Sequence, residues 1–254
     1  MIDLHTHILP GVDDGAADLE TAVAMARSAA ERGVEVICAT PHYYGGLTWQ
    51  AVQKQVESLR RQLAQAQIPV EVVAGAELML DTDLLKLGSD EIPTYGGNSR
   101  FCLLEFPMYE LPMYLEQVLF SLQTKGITPI IAHPERYREV MADPNVVLAW
   151  LEQGCLIQVN TGSILGRFGS AAAATAEILL EHDLAQFVAS DAHSLKRRPP
   201  DLPEAYAVLV QLVGAERAGE LVEHNPRGVI AGNFTPKRAP RPFVKKRRFF
   251  LFRR

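Results

Sequence analysis

The sequence predicts an α/β fold in which parallel strands close into a barrel. Seven short apolar runs alternate with stretches of helical periodicity, the signature of repeated βα units. Metal-capable side chains end six of these runs, always at the same end, as strands sharing one rim would place them. An open doubly wound sheet shows the same alternation, and strand order is not visible in a sequence.

The first strand, 2–7, is alternating and β-prone at Ile2-Asp3-Leu4, so His5 and His7 share a face. DLETAVAMARSAAERG follows as an amphipathic helix, with Asp18 capping its start and Gly33 ending it. Further apolar runs predict strands at 34–41, 71–77, 101–106, 128–133, 155–161 and 185–190. Helical patterns between and after them cover 48–66, 112–125, 144–153, 170–183 and 203–213.

At 254 residues and 48% hydrophobic, the chain can bury the core of one barrel-sized domain or two small ones. No window of 18 apolar residues suggests a membrane span, and Asp3 and His5 come too early for a signal peptide. Cys38, Cys102 and Cys155 lie far apart in apolar runs with no CxxC pair, which reads as buried reduced thiols in a cytoplasmic protein. Charge is unevenly spread. Residues 235–254, TPKRAPRPFVKKRRFFLFRR, hold nine of the 25 Lys/Arg and no Asp or Glu, so the rest of the chain is strongly acidic. The expected organisation is a barrel over 1–234 and a basic, aromatic tail over 235–254. An acidic body argues against nucleic acid as a partner, while the tail suits either an anionic membrane surface or a disordered, solvated end.

The chemistry lies at the strand ends. The first strand delivers His5 and His7, with Asp14 in the loop behind; VEVICATPH delivers His42, EVVAGAE Glu77 and FCLLE Glu105. TPIIAHPER delivers His133, and FVASDAH delivers Asp191 and His193. A single histidine after a strand is more often a hydrogen-bonded loop residue than a ligand. Nine coincident placements point elsewhere: five His and four carboxylates, with no thiolate, suit two or three divalent ions of the Zn, Mn or Fe type. Adjacent ions can share a hydroxide of lowered pKa and clamp a phosphoryl oxygen. Arg136 in HPERY and Arg198 in SDAHSLKRRPP follow such strands within a few residues and can bind phosphate oxygens, with Arg138 and Arg197 as neighbours able to replace them. A cysteine-nucleophile phosphatase is excluded, because the residues six positions after the three cysteines are Tyr44, Met108 and Thr161 rather than arginine. Neither GxxxxGK[ST] nor GxSxG occurs.

DLHTHILPGVDDG, ATPHY, GAE, LLEFP, AHPERY and SDAHS…RPP, in this order, resemble the polymerase-and-histidinol-phosphatase (PHP) superfamily. Within it the chain is most similar to the bacterial manganese-dependent tyrosine-protein phosphatases of capsule and exopolysaccharide loci. The resemblance covers about residues 1–234. It implies a distorted (β/α)7 barrel with three divalent metal ions, most often manganese with Fe or Zn as alternatives, and hydrolysis of phosphotyrosine on a cognate membrane tyrosine kinase. By position, His5, His7, Asp14, His42, Glu77, Glu105, His133, Asp191 and His193 match the metal ligands, with Glu77 and Glu105 as bridging candidates. Arg136 and Arg198 match the phosphate-contacting arginines. Asp14 or a metal-held water would protonate the leaving phenolate, and Tyr43, Tyr44, Trp49, Tyr109 and Tyr114 are candidates to stack on the tyrosyl ring. The rival readings are a histidinol-phosphatase-like phosphomonoesterase, a nuclease of the superfamily, and a metal-stabilised adaptor without turnover. The basic tail matches nothing in the family pattern; a dock at the inner face of the membrane, near the kinase, is the expectation for it.

Overall fold

The computed structural model describes residues 1–97 and 100–245. Nine parallel strands run through it: β1 Ile2–Thr6, β2 Val36–Ala39, β3 His42–Tyr43, β4 Glu71–Ala74, β5 Glu77–Met79, β6 Phe101–Glu105, β7 Thr128–Ala132, β8 Leu156–Asn160 and β9 Phe187–Ala189. They pair as β1-β2-β4 and as β3-β5-β6-β7-β8-β9. The two sheets are halves of one barrel. Pro41, which lacks an N–H, divides β2 from β3, yet its carbonyl accepts from Glu77 N at 2.9 Å, while Gly75 N reaches Ala39 O at 2.8 Å. β2–β3 and β4–β5 are therefore two staves, each sequence run split by a kink. Asp191 N to His5 O and His7 N to Ala192 O, both 2.8 Å, join the end of β9 to β1. Seven staves close on themselves, and the open-sheet alternative is removed.

Strand residues divide by parity. Ile37, Val72, Leu104, Ile131 and Val188 face outward into the larger core beneath the helices, and Val36, Leu103, Ile130 and Phe187 point into the lumen. Phe234 plugs the lower end of the lumen against Phe187 and Phe101, with ring centroids at 5.1 and 6.4 Å.

The helices are α1 Leu19–Ala30, α2 Trp49–Gln65, α3 Leu115–Thr124, α4 Arg138–Ala142, α5 Val146–Glu152, α6 Thr161–Ile164, α7 Ser170–Glu181, α8 Leu202–Val213, α9 Ala215–Gly219 and α10 Asn225–Ile230, with a π-helical turn over 220–224. Asp18 caps α1 by accepting from Thr21 N at 2.8 Å. The helix expected over 112–125 starts only at Leu115, after Pro112. α4, α6, α9 and α10 escape the sequence reading because four to six residues are too few for a helical period. No helix among the described residues is long and apolar enough to cross a membrane. The described part of the tail is docked: Arg238 Nε donates to Glu220 at 2.8 Å, Arg241 N to His182 O at 2.9 Å, and Phe243 N to Asn145 Oδ1 at 2.8 Å. Residues 246–254 of the expected tail lie outside the described residues.

Candidate metal centre

The site begins with an irregularity in β1. Its register against β2 slips between Asp3 and Thr6, a β-bulge. Ile2 and Leu4 fill the lumen below the bulge. Above it the parity changes and His5 and His7 turn inward, both fully buried. The Leu4 carbonyl accepts from the Tyr95 hydroxyl at 3.1 Å. His133 and Asp191 follow β7 and β9 in left-handed backbone, at φ 36° and 54°. Such strain in non-glycine residues concentrates at functional sites, where the surroundings over-determine the geometry. Here it swings both side chains across the top of the lumen.

All nine expected ligands meet at this rim, in four overlapping groups. His7, Asp14, His42 and His193 form one; His5, Glu77 and His133 a second; His5, His7 and Asp191 a third; His42, Glu77 and Glu105 a fourth. Glu77 is central: its Oε2 lies 3.3 Å from His5 Nε2, 3.2 Å from His7 Nε2 and 3.0 Å from His42 Nδ1, and its Oε1 lies 3.2 Å from His133 Nε2. Glu105 stands further off, 3.6 Å from His133. Asp14 is at the mouth, its side chain 63% exposed, and reaches His42 Nε2 at 3.3 Å and His193 Nε2 at 3.4 Å.

The donor set fits divalent cations. His5 Nδ1 faces Gln158 Oε1 at 2.9 Å, and Gln158 Nε2 donates to Asn160 Oδ1, which fixes the amide so that His5 Nδ1 carries the proton. Asp13 Oδ2 accepts a hydrogen bond from His7 Nδ1 at 2.7 Å in the same way. In the neutral rings that ligate metal, both Nε2 atoms are then lone pairs, and they face each other at 3.1 Å. Asp191 Oδ1, buried without a hydrogen-bond partner, lies 3.4 Å from each. With Glu77 Oε2, 3.3 and 3.2 Å from the same two nitrogens, four acceptors converge where a cation satisfies all of them.

Electrostatics agree. Burial disfavours charge on His5, but Glu77 and Asp191 outweigh it and raise its pKa, so the cluster attracts positive charge. Burial alone would raise Asp191 and Glu77; His5 and its neighbours instead hold both well below the carboxylate range. Burial and Arg136 push His133 down to about 4, and burial and His7 push His193 down to about 3, leaving both as neutral imidazoles at neutral pH, the form that ligates metal. Burial, then the Glu77 charge, push Glu105 up to about 7.

Arg136 and Arg198 stand over the rim. Arg136 Nη1 lies 3.4 Å from Asp191 Oδ2, while Arg198 pairs with the same oxygen and with His193 Nε2 at 3.0 Å. Both guanidiniums sit over the ring of Phe168, at 4.4 and 6.0 Å from its centroid. The Arg138 and Arg197 side chains are exposed. Tyr43, Trp49 and Tyr114 pack against the core, leaving Tyr44 and Tyr109 as exposed aromatic candidates.

Sequence reasoning missed several contributors. Asp13, rather than its neighbour, orients His7; its Oδ2 also accepts from His42 N at 2.9 Å. Burial opposes its charge, but the His7 hydrogen bond holds its carboxyl down at about 2. Asn160 donates to Asp191 Oδ2 at 2.6 Å. Glu135, fully buried, accepts from Asn160 N at 3.0 Å and from the Ser163 hydroxyl at 2.6 Å. Gln158 and Asn160 were detectable as polar residues at alternate positions of an apolar strand; Phe168, in a loop, left no signal.

A family model described as capsular polysaccharide synthesis, CpsB/CapC, matches residues 1–231. The chain is 37% identical to the tyrosine-protein phosphatase YwqE of Bacillus subtilis, over 99% of this chain and 100% of that one. It is 35% identical to the tyrosine-protein phosphatase CpsB of Streptococcus pneumoniae, over 91% and 98%. Among solved structures, one described as metal-dependent tyrosine phosphatases, YwqE and CpsB from those two organisms, superposes with a TM-score of 0.88 at 35% identity, covering 96% of this chain and all of that one. An organophosphorus hydrolase superposes at 0.58 with 14% identity, covering 90% and 92%, which shows the shared barrel.

Proposed function

The chain belongs to the CpsB/CapC family of capsular polysaccharide synthesis, and from that premise we propose that it is a metal-dependent protein-tyrosine phosphatase acting on a cognate tyrosine kinase. The observation that carries the reading is the convergence of nine His, Asp and Glu side chains beneath two arginines at one barrel rim. Three ions would be held among the four overlapping donor groups by His5, His7, Asp14, His42, Glu77, Glu105, His133, Asp191 and His193, with Glu77 and Glu105 as the carboxylates able to be shared. Nitrogen and carboxylate donors without sulfur suit Mn, with Fe or Zn as alternatives. Such ions, when bound, supply Lewis acidity and a nucleophilic water of lowered pKa.

The chain's own groups do the rest. Arg136 and Arg198, braced on Phe168, neutralise the equatorial phosphoryl oxygens as charge builds. Asp13, Gln158 and Asn160 hold His7, His5 and Asp191 in place. The departing phenolate takes its proton at the solvent-open mouth, either from Asp14 after that carboxylate has accepted one from the attacking water or from a water held there. The cysteines take no part: all three are buried, and burial pushes Cys102 and Cys155 up to about 12 and Cys38 well above its ordinary value.

The barrel over 1–234 carries the activity in the cytoplasm. The basic tail over 235–254 brings it to the inner face of the membrane, where the kinase substrate sits. Liposome co-sedimentation tests the tail, and binding unchanged by deletion of 246–254 contradicts that role. The activity is tested by phosphate release from a phosphotyrosine peptide and from histidinol phosphate in parallel, using chelator-stripped protein reloaded with Mn. Preference for the peptide over histidinol phosphate and over a phosphoserine peptide supports the reading. Preference for histidinol phosphate makes the protein a small-molecule phosphatase. Bound metal without turnover of either makes it an adaptor.

A further inference from the structure

Beside the rim lies a groove of about 370 Å³, within the size range of ligand clefts. Met108 and Tyr109 of the β6–α3 loop, Met141 of α4 and Phe168 form its apolar walls, and Arg136 and Arg138 are its charges. Among the described residues no carboxylate lines it, although the body is acidic. Two of these residues belong to the site as well: Arg136 reaches Asp191, and Phe168 is the ring on which Arg136 and Arg198 rest. The groove is thus continuous with the candidate site through these two side chains. The β6–α3 loop that walls it also exposes Tyr109 at 82% and leaves Met113 fully open, apolar surface of the kind that marks an interaction site.

We propose that this groove is a substrate subsite for the peptide segment flanking the phosphotyrosine, taking a bulky apolar side chain in the Met108–Met141–Phe168 cleft and an acidic neighbour at Arg138. The proposal rests on the tyrosine-phosphatase reading and deepens it. A phosphotyrosine held at the rim within a polypeptide carries its neighbours past Arg136, whereas a free aryl phosphate has nothing to place there. Burial of one Leu-sized side chain is worth about tenfold or more in specificity, and an exposed ion pair at Arg138 adds up to about fivefold. The groove therefore separates protein substrates from small phosphomonoesters that share the same metal chemistry.

The test compares phosphotyrosine peptides carrying Leu or Gly, and Asp or Lys, at each flanking position, with p-nitrophenyl phosphate as the substrate that leaves the groove empty. Mn-loaded wild type is compared with Arg138→Glu and Met141→Glu, and binding of a non-hydrolysable difluorophosphonate peptide is followed alongside turnover. The expected result is a flanking position at which Leu raises kcat/KM about tenfold, lost in Met141→Glu, and an Asp preference that Arg138→Glu inverts. The phosphonate peptide should follow the same order, and p-nitrophenyl phosphate turnover should be unchanged in both variants. Flanking residues without effect, or preferences that survive both substitutions, overturn the subsite while the phosphatase reading stands. Absence of turnover on every phosphotyrosine substrate, with p-nitrophenyl phosphate also inert, overturns both.

Discussion

At the scale of single residues, the Asp13-Asp14 pair divides its labour. Asp13 is turned inward and bonded to His7, and Asp14 is turned out to the mouth. Two identical adjacent side chains cannot be told apart in a sequence; the chain direction after β1 decides which is buried. Residues that orient a metal-binding imidazole typically contribute 10–100-fold to affinity or activity. Asp13→Ala is therefore expected to weaken Mn binding, measured by calorimetry, by roughly that factor while leaving the fold intact by circular dichroism. Unchanged affinity would remove Asp13 from the site. Glu135 offers a pH test. Burial, with one oxygen lacking a partner, pushes it up to about 7 against hydrogen bonds from Ser163 and Asn160. The unfolded chain gives up this proton first, so the group costs stability as pH rises from about 4.5 to about 7, and the loss is complete above that. Glu135→Gln is expected to match wild type near pH 4.5 and to exceed it by on the order of 2–3 kcal/mol at pH 8, measured by urea denaturation. An equal difference at both pH values would contradict the assignment.

At the scale of elements, most strands were readable because an apolar run in a parallel sheet is both short and continuous. The convergence of the nine side chains was readable for the same reason, since eight of them close such runs and Asp14 follows the first in its loop. The bulge in β1 was not: Ile2 to Leu4 alternate normally, and only pairing with β2 shows where the parity changes. Nor was the loop before α7. Arg167 pairs there with buried Asp201, and a Cβ on Gly162 would lie 2.5 Å from Phe168 Cε2. The missing side chain at Gly162 is what lets the ring lie beneath both arginines. Gly162→Ala must push Phe168 away and loosen both guanidiniums, and misplacement on this scale costs up to about 100-fold in turnover. The expected outcome is a fall in kcat/KM on phosphotyrosine peptide of at least about tenfold with metal content unchanged; full activity would show that the ring does not brace the arginines.

At the scale of the whole molecule, six of the seven staves supply candidate ligands and β8 supplies two of the residues that orient them. The barrel and the candidate metal centre are one structure, because closing β9 against β1 also brings Asp191 and His193 to His5 and His7. Ions that bind the folded barrel alone stabilise it by mass action, about 4 kcal/mol at a thousandfold excess over Kd. Chelation should therefore lower Tm by several degrees, and calorimetry in the presence and absence of Mn measures the shift. The most direct test of a metal-dependent phosphatase is a joint titration: Mn is added to stripped protein while bound ions are counted by mass spectrometry and phosphate release from a phosphotyrosine peptide is followed. The account predicts no turnover without metal, a rise that saturates as three ions bind, and loss of both binding and turnover in the His5→Ala/His7→Ala double variant. Undiminished turnover by metal-free protein would contradict it.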